Sequence, residues 1–283
     1  MTDQPIVSTQ WLHDHLDDPN LRVVDIRGHV LPASEPPPHY FAHHEAFAES
    51  HIPGAVFVDW TADITDPESP HGTQIAQPAA YADLMNRLGI DDDTFVVVYD
   101  DANNMFAARL WWSLRYYGHE DVAVLDGGWH KWTAEDRPVT EEVTTVSPAT
   151  FTPRPQPHLR FTVNDVAADL RDRSAMLLDV RSTGEYNGDT SRASRKGHIP
   201  GAVNLPRGQM VGSDGTVPTP EVLRARFAQV GITPEASEVV VYCNAGVSAS
   251  YGLLALHIAG IKNAAVYDGS WKEWGNDDSR PIA

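Results

Sequence analysis

The chain has 283 residues, room for one large domain or two of ordinary size. Hydrophobic side chains make up 42%, which supports real cores and excludes general disorder, and a formal charge of −18 argues against nucleic acid and anionic membrane surfaces as partners. The single cysteine excludes an internal disulfide and a cysteine-based zinc cage. The N-terminal residues have neither the basic nor the apolar region of a signal peptide, and no run of about 18 apolar residues marks a membrane span. The expectation is a cytoplasmic protein, in a reducing compartment that keeps a working thiol reduced.

In chain order, Ser8 reads as the cap of a short helix to Leu16, with Trp11, Leu12 and Leu16 on its apolar side. Leu21–Arg27 reads as a buried strand with polar residues at its end. Residues 28–50 read as irregular, with a proline run at 36–38. Pro53-Gly54 turns the chain into a strand to Phe57. Residues 61–77 read as a loop, and Ala79–Leu88 as a helix stopped by Gly89. Thr94–Tyr99 is an apolar strand, Ala107–Tyr117 a helix and Val122–Leu125 a strand. Asp126-Gly-Gly-Trp129 then leads into a short helix.

The second half repeats this order. Leu178-Asp179-Val-Arg181 matches Val24-Asp25-Ile-Arg27, and His198-Ile-Pro-Gly-Ala-Val203 matches His51-Ile-Pro-Gly-Ala-Val56. Val239-Val-Val-Tyr242 matches Val96-Val-Val-Tyr99, and Tyr267-Asp-Gly-Ser-Trp271 matches Leu125-Asp-Gly-Gly-Trp129. Four matches in the same order predict two similar units, each α/β with a mostly parallel sheet flanked by helices. The expected division is an N-terminal domain over 1–146, a proline-rich linker over 147–160 and a C-terminal domain over 161–283.

Cys243 follows the strand Val239–Tyr242, and a loop of small residues, Asn244, Ala245, Gly246, Val247 and Ser248, leads into an apolar helix. A strand feeding a tight loop at a helix N-terminus gathers backbone N–H groups around one point, which stabilises an anion and favours the thiolate. A buried, unreactive cysteine is the alternative, and this segment alone leaves both open.

Together these motifs resemble the rhodanese family in its tandem two-domain sulfurtransferase form, over nearly the whole chain. The resemblance implies an active C-terminal domain and a degenerate N-terminal one. Asp100 holds the cysteine position in the first half, and a carboxylate cannot carry transferable sulfur. The implied chemistry is transfer of a sulfane sulfur from a small anionic donor, thiosulfate or 3-mercaptopyruvate, through a Cys243 persulfide to cyanide or a small thiol. No metal or organic cofactor is implied. Rhodanese-like phosphatases need an arginine six residues after the cysteine; Ala249 stands there, and no arginine occurs from 243 to 271.

The loop departs from both donor patterns. It lacks the paired cations of thiosulfate-preferring members, and Ala245 lacks the hydroxyl of mercaptopyruvate-preferring ones. Those enzymes also carry an arginine where this chain has Glu185, a carboxylate expected to repel an anionic donor. Arg192, Arg195, Lys196 and Arg207 are candidate replacements, and His71 is a candidate acid or base. Asp179 and Arg181 could contact a substrate, but their recurrence as Asp25 and Arg27 favours a bracing ion pair. Trp271, like Trp129, reads as supporting core. His51 and His198 read as structural, and His39, His43 and His44 as part of a surface loop rather than a metal site. Two other readings use the same thiol: a non-catalytic tandem module that carries or senses sulfur or binds a partner, and a redox sensor.

Overall fold

The apolar runs that end in Tyr99 and Tyr242 form the middle strands of two parallel sheets. The computed structural model describes residues 4–32, 35–36, 38–72, 74–172 and 174–283. Its contacts divide into two units. One takes in the chain up to Glu68, Ile75–Gln156 and Asp214–Thr216; the other takes in Ser69–Gln74, Pro157–Ser213 and Val217–Ala283.

The first unit contains β1 (Ile6–Val7), α1 (Thr9–His15), β2 (Leu21–Asp25), β3 (Gly28–Val30), β4 (Tyr40–Ala42), α2 (His44–Glu49) and β5 (Val56–Phe57). These are followed by α3 (Pro78–Arg87), β6 (Phe95–Tyr99), α4 (Met105–Tyr116), β7 (Val122–Leu125) and α5 (Gly128–Ala134). The sheet order is β1-β7-β6-β2-β5, with every pair parallel. Ser8 caps α1 by accepting the Trp11 N–H at 3.0 Å. Pro78 begins α3, and Gly89 ends it at φ +67°.

Residues 28–50 are more ordered than expected. Strands β3 and β4 pair antiparallel and α2 follows, while Pro37 of the expected proline run lies outside the described residues. Strands of three residues are too short to show an alternation in sequence. The proline-rich stretch has no regular structure up to Gln156, but it is tied to the first unit. The Phe151 N–H reaches Asn86 Oδ1 at 2.6 Å, and the Arg154 N–H reaches the Tyr117 carbonyl at 2.8 Å.

The second unit contains β8 (Arg160–Phe161), α6 (Val163–Asp172), β9 (Met176–Asp179), α7 (Thr183–Tyr186) and β10 (Val203–Asn204). It continues through α8 (Pro220–Gln229), β11 (Val239–Tyr242), α9 (Val247–Ile258), β12 (Ala264–Tyr267) and α10 (Ser270–Trp274). The sheet order is β10-β9-β11-β12-β8, again parallel throughout. Its core gathers Val166, Leu177, Ile199, Val240, Tyr242, Tyr267, Trp271 and Trp274. Burying each such aliphatic side chain contributes roughly 1.5–3 kcal/mol.

Helix α9 is buried on nearly every side from Val247 to Leu256, which accounts for its unbroken apolar sequence. Gly252 lets it lie close on the sheet, because a Cβ there would come within 2.8 Å of Val241 Cγ1. The N-terminus of α9 follows the carboxyl end of β11 after a short loop, and α/β folds place ligands at the carboxyl ends of parallel strands. Among the described residues no helix is long and apolar enough to cross a membrane.

Candidate active site

Cys243 is the first residue after β11 and is 4% exposed. Three residues separate it from α9. The last, Gly246, takes φ +75° and offers no capping side chain, so the helix opens toward the loop.

The loop is clamped from beneath by Ser270. Its hydroxyl accepts the N–H groups of Cys243 and Gly246, each at 3.1 Å, and donates to the Tyr267 carbonyl at 2.8 Å. To reach there Ser270 adopts φ +52°, a left-handed conformation that costs a side-chain-bearing residue about 1–2 kcal/mol. The carbonyls of Cys243 and Asn244 accept the N–H groups of Trp271 and Lys272 at 2.9 and 2.8 Å. Burial holds the half-buried Lys272 ammonium below its ordinary range.

Asn244 is held from the side. Its Nδ2 donates to Glu185 Oε1 at 2.7 Å. The other Glu185 oxygen accepts the Ser182 hydroxyl at 2.8 Å and its N–H at 3.3 Å, a capping box that starts α7. Arg192 Nε lies 4.0 Å from Glu185 Oε1.

Behind the loop, Asp179 and Arg181 form an ion pair at 2.6 Å with no side-chain exposure on either partner. The guanidinium also bonds the Gly197 carbonyl at 2.8 Å and stacks 4.4 Å over Trp271. Hydrogen bonds to Asp179 and its charge hold the Arg181 guanidinium charged in spite of burial.

The first unit repeats this framework with a different occupant. Asp25 and Arg27 pair at 2.8 Å, and Arg27 stacks 4.2 Å over Trp129. Asp100, 1% exposed, follows β6 as Cys243 follows β11. Its Oδ1 accepts the N–H groups of Ala102 and Asn104 at 2.8 and 2.9 Å, and its Oδ2 accepts those of Phe106 and Ala107 at 2.7 and 2.8 Å. Phe106 and Ala107 are the second and third residues of α4; the same places in α9 are Ser248 and Ala249. The loop geometry thus builds an anion-binding nest, and in the first unit a carboxylate fills it.

The family model described as the Rhodanese-like domain matches residues 8–135 and again 162–277. The chain belongs to the rhodanese family. It is 37% identical to the sulfur carrier protein TtuD of Thermus thermophilus, over 98% of this chain and 96% of that one. It is 36% identical to the thiosulfate sulfurtransferase of Bos taurus, over 95% and 91%. The crystal structure of SseA from Escherichia coli, reported for the rhodanese fold and mechanism of 3-mercaptopyruvate sulfotransferases, superposes with a TM-score of 0.84 at 32% identity, covering 95% of this chain and 99% of that one.

Within this rhodanese frame, the residues expected from sequence separate into two groups. Asn244, Ala245, Gly246, Val247, Ser248 and Glu185 gather around Cys243, with Arg192 beside Glu185. Asp179, Arg181 and Trp271 lie beneath as a closed brace. Of the two roles weighed for Arg181, the geometry fits the bracing ion pair rather than the donor contact, since its guanidinium has no exposed surface and is paired with a carboxylate. Arg195 and Lys196, expected as candidate replacements for the missing cations, are instead bonded to backbone carbonyls. Arg195 donates to the carbonyls of Gly275, Trp274, Asp277 and Arg280, and Lys196 to that of Asp189. Arg207 lies over Tyr251. Glu185, expected to repel an anionic donor, has its oxygens taken by Asn244 and Ser182, and Arg192 lies beside it. His71 sits in a turn, partly exposed, in the short Ser69–Gln74 stretch.

Both histidines of the His-Ile-Pro-Gly turns are structural. His51 bonds the Phe47 and Glu142 carbonyls, and His198 bonds that of Tyr186 while stacking on its ring at 3.7 Å. His43 pairs with Asp101 at 2.7 Å and His44 with Asp59 at 3.0 Å. Among the described residues no group of three or more His, Cys, Asp or Glu could hold a metal ion. Sequence reasoning missed Ser270 and Lys272. The one available signal was the exchange of Gly128 for Ser270 in the repeated Asp-Gly-x-Trp motif.

Proposed function

We propose that this protein is a sulfurtransferase that moves a sulfane sulfur from thiosulfate or 3-mercaptopyruvate through a Cys243 persulfide to a thiol or cyanide. The observation that carries this reading is the Asp100 nest. The same strand, loop and helix that bind a carboxylate in the first unit present a lone thiol in the second. The proposed catalytic domain is residues 161–283, residues 1–146 are its inactive counterpart, and 147–160 join them. A working thiol fits a reducing compartment, so the cytoplasm is the proposed location.

The reaction has two displacements. The Cys243 thiolate attacks the outer sulfur of thiosulfate, a new S–S bond forms, the old one breaks, and sulfite leaves with the electron pair. With 3-mercaptopyruvate the C–S bond breaks instead, and the enolate that leaves takes a proton to give pyruvate. The persulfide is an anion, and the N–H groups of Asn244, Ala245, Val247 and Ser248 with the α9 dipole stabilise it, the Gly246 N–H being held by Ser270. The acceptor then attacks the outer sulfur, and the S–S electrons return to Cys243 as thiolate.

The residues proposed to act are Cys243 as nucleophile, Asn244 to Ser248 as the cradle, and Arg192, beside the Glu185 that holds Asn244, as the cation for an anionic donor. Glu185 orients Asn244 and Arg192, and Asp179, Arg181 and Trp271 brace the loop. His71 is proposed as a proton donor. Steady-state kinetics with both donors and cyanide test this reading. Parallel double-reciprocal lines, as double displacement requires, support it. Absence of thiocyanate with either donor refutes it.

A further inference from the structure

At the opposite end of the second sheet lies a cavity of about 420 Å³, lined by Asp169, Leu170, Ala175, Leu177, Pro200, Gly201 and Pro281. Ala175 precedes β9 and Pro200-Gly201 precede β10, so the cavity sits beside the N-terminal strand ends, away from the end that carries Cys243.

The internal repeat shows what changed there. Leu12 and Val166 donate their N–H groups to the Ser8 and Thr162 carbonyls, each at 3.1 Å, so α1 and α6 start in the same way. That places His15 opposite Asp169 and Trp11 opposite Asp165. Strand register places Leu21 opposite Ala175 and Phe95 opposite Glu238. Ile52 and Ile199 each donate an N–H to the equivalent tyrosine hydroxyl at 3.2 Å, which aligns Pro53-Gly54 with Pro200-Gly201.

In the first unit this region is filled by rings. His15 stacks on Trp11 at 4.1 Å, and Trp11 packs on Phe95 at 5.6 Å. In the second unit all three ring positions carry carboxylates, and alanine replaces leucine. Space opens where the side chains shrink.

Asp169 is only 5% exposed. Its Oδ1 accepts the Ser174 N–H, the Ser174 hydroxyl and the Ala175 N–H at 3.1, 2.6 and 2.7 Å. Among the described residues no donor reaches its Oδ2. Burial and the Asp169 charge push the Glu238 carboxyl above its ordinary range, so the two acids reinforce one field. A carboxylate oxygen at a mostly apolar wall favours a ligand that supplies a hydrogen-bonded positive charge. The volume is that of a small-ligand pocket.

We propose that this cavity binds a small organic ammonium ion, its charged head on Asp169 Oδ2 and its apolar tail against Leu170, Ala175, Leu177 and Pro281. The test is titration of the full-length protein with n-butylammonium chloride, followed by calorimetry and by the unfolding midpoint, with 1-butanol and butyrate as neutral and anionic controls. Saturable binding and a raised midpoint with butylammonium alone are expected. Ala175→Leu, which restores the residue of the first unit, abolishes the response, and Asp169→Asn weakens binding about tenfold or more. Should Asp169→Asn fail to fold, Ala175→Leu and the three-ligand contrast still decide. No binding to the wild type, an equal response to 1-butanol, or undiminished binding in Ala175→Leu overturns the proposal.

Discussion

Asn244 Nδ2 and Glu185 Oε1 lie 2.7 Å apart, which ties the residue after Cys243 to the first turn of α7 and sets Arg192 against the same carboxylate. The carboxylate expected from sequence to repel an anionic donor therefore also orients the loop. Glu185→Gln keeps a hydrogen-bonding oxygen and removes the charge that offsets Arg192. We expect KM for thiosulfate to fall about fivefold, with kcat within about twofold. Glu185→Ala releases Asn244 as well and lowers kcat. Initial rates against donor concentration distinguish them; an unchanged KM in Glu185→Gln means the carboxylate does not act on the donor.

Ser270 tests how much the clamp under the loop contributes. Ser270→Ala keeps the left-handed backbone and leaves two buried N–H groups without an acceptor, at about 1–3 kcal/mol each. Ser270→Gly loses the same bonds but relieves about 1 kcal/mol or more of strain, as Gly128 does at φ +53°. Both variants should lose about tenfold or more in kcat/KM, with Ser270→Gly the more stable in urea unfolding. Equal stability of the two variants means the φ carries no strain.

Asp100 should be a stability residue with no part in transfer. Asp100→Ala strands four N–H groups and is expected to lower unfolding free energy by about 3 kcal/mol or more. Per folded molecule, sulfur loading of Cys243 should be unchanged at a temperature well below the midpoint. A loss below about 0.5 kcal/mol by urea unfolding would show that the nest needs no anion.

Asp25 carries a pH signature. Burial pushes its carboxyl up to about 6 from 3.8, against the pull of Arg27 and Tyr99. Between those values the folded chain holds more protons than the unfolded one, so this group lowers stability as pH rises through the window and adds no slope above it. Asp25→Asn should flatten the decline of the unfolding midpoint between about pH 4 and 6. An unaltered slope contradicts the assignment.

Much of this was legible in the sequence because the chain carries its own control. The four motifs recur in order, so the tandem α/β architecture and the exchange of Cys243 for Asp100 could be read directly. Other parts were hidden for physical reasons. The two-residue edge strands Ile6–Val7 and Arg160–Phe161 are too short to carry a pattern. The β3–β4 hairpin joins residues across a proline-rich loop. Glu185 and Asn244 are far apart in the chain, so an isolated acid could be read only by its sign and not by its partner. Ser270 takes a conformation that propensity assigns to glycine, and only its hydrogen bonds to Cys243 and Gly246 explain why a serine stands there.

The central claim is that Cys243 carries the sulfur. Intact-mass measurement after incubation with thiosulfate, and separately with 3-mercaptopyruvate, tests it most directly. The wild type should gain one sulfur atom, lose it on addition of cyanide or a thiol, and show no gain as Cys243→Ser. A wild type that stays at its starting mass with both donors, or a Cys243→Ser variant that gains and releases sulfur equally, contradicts the account.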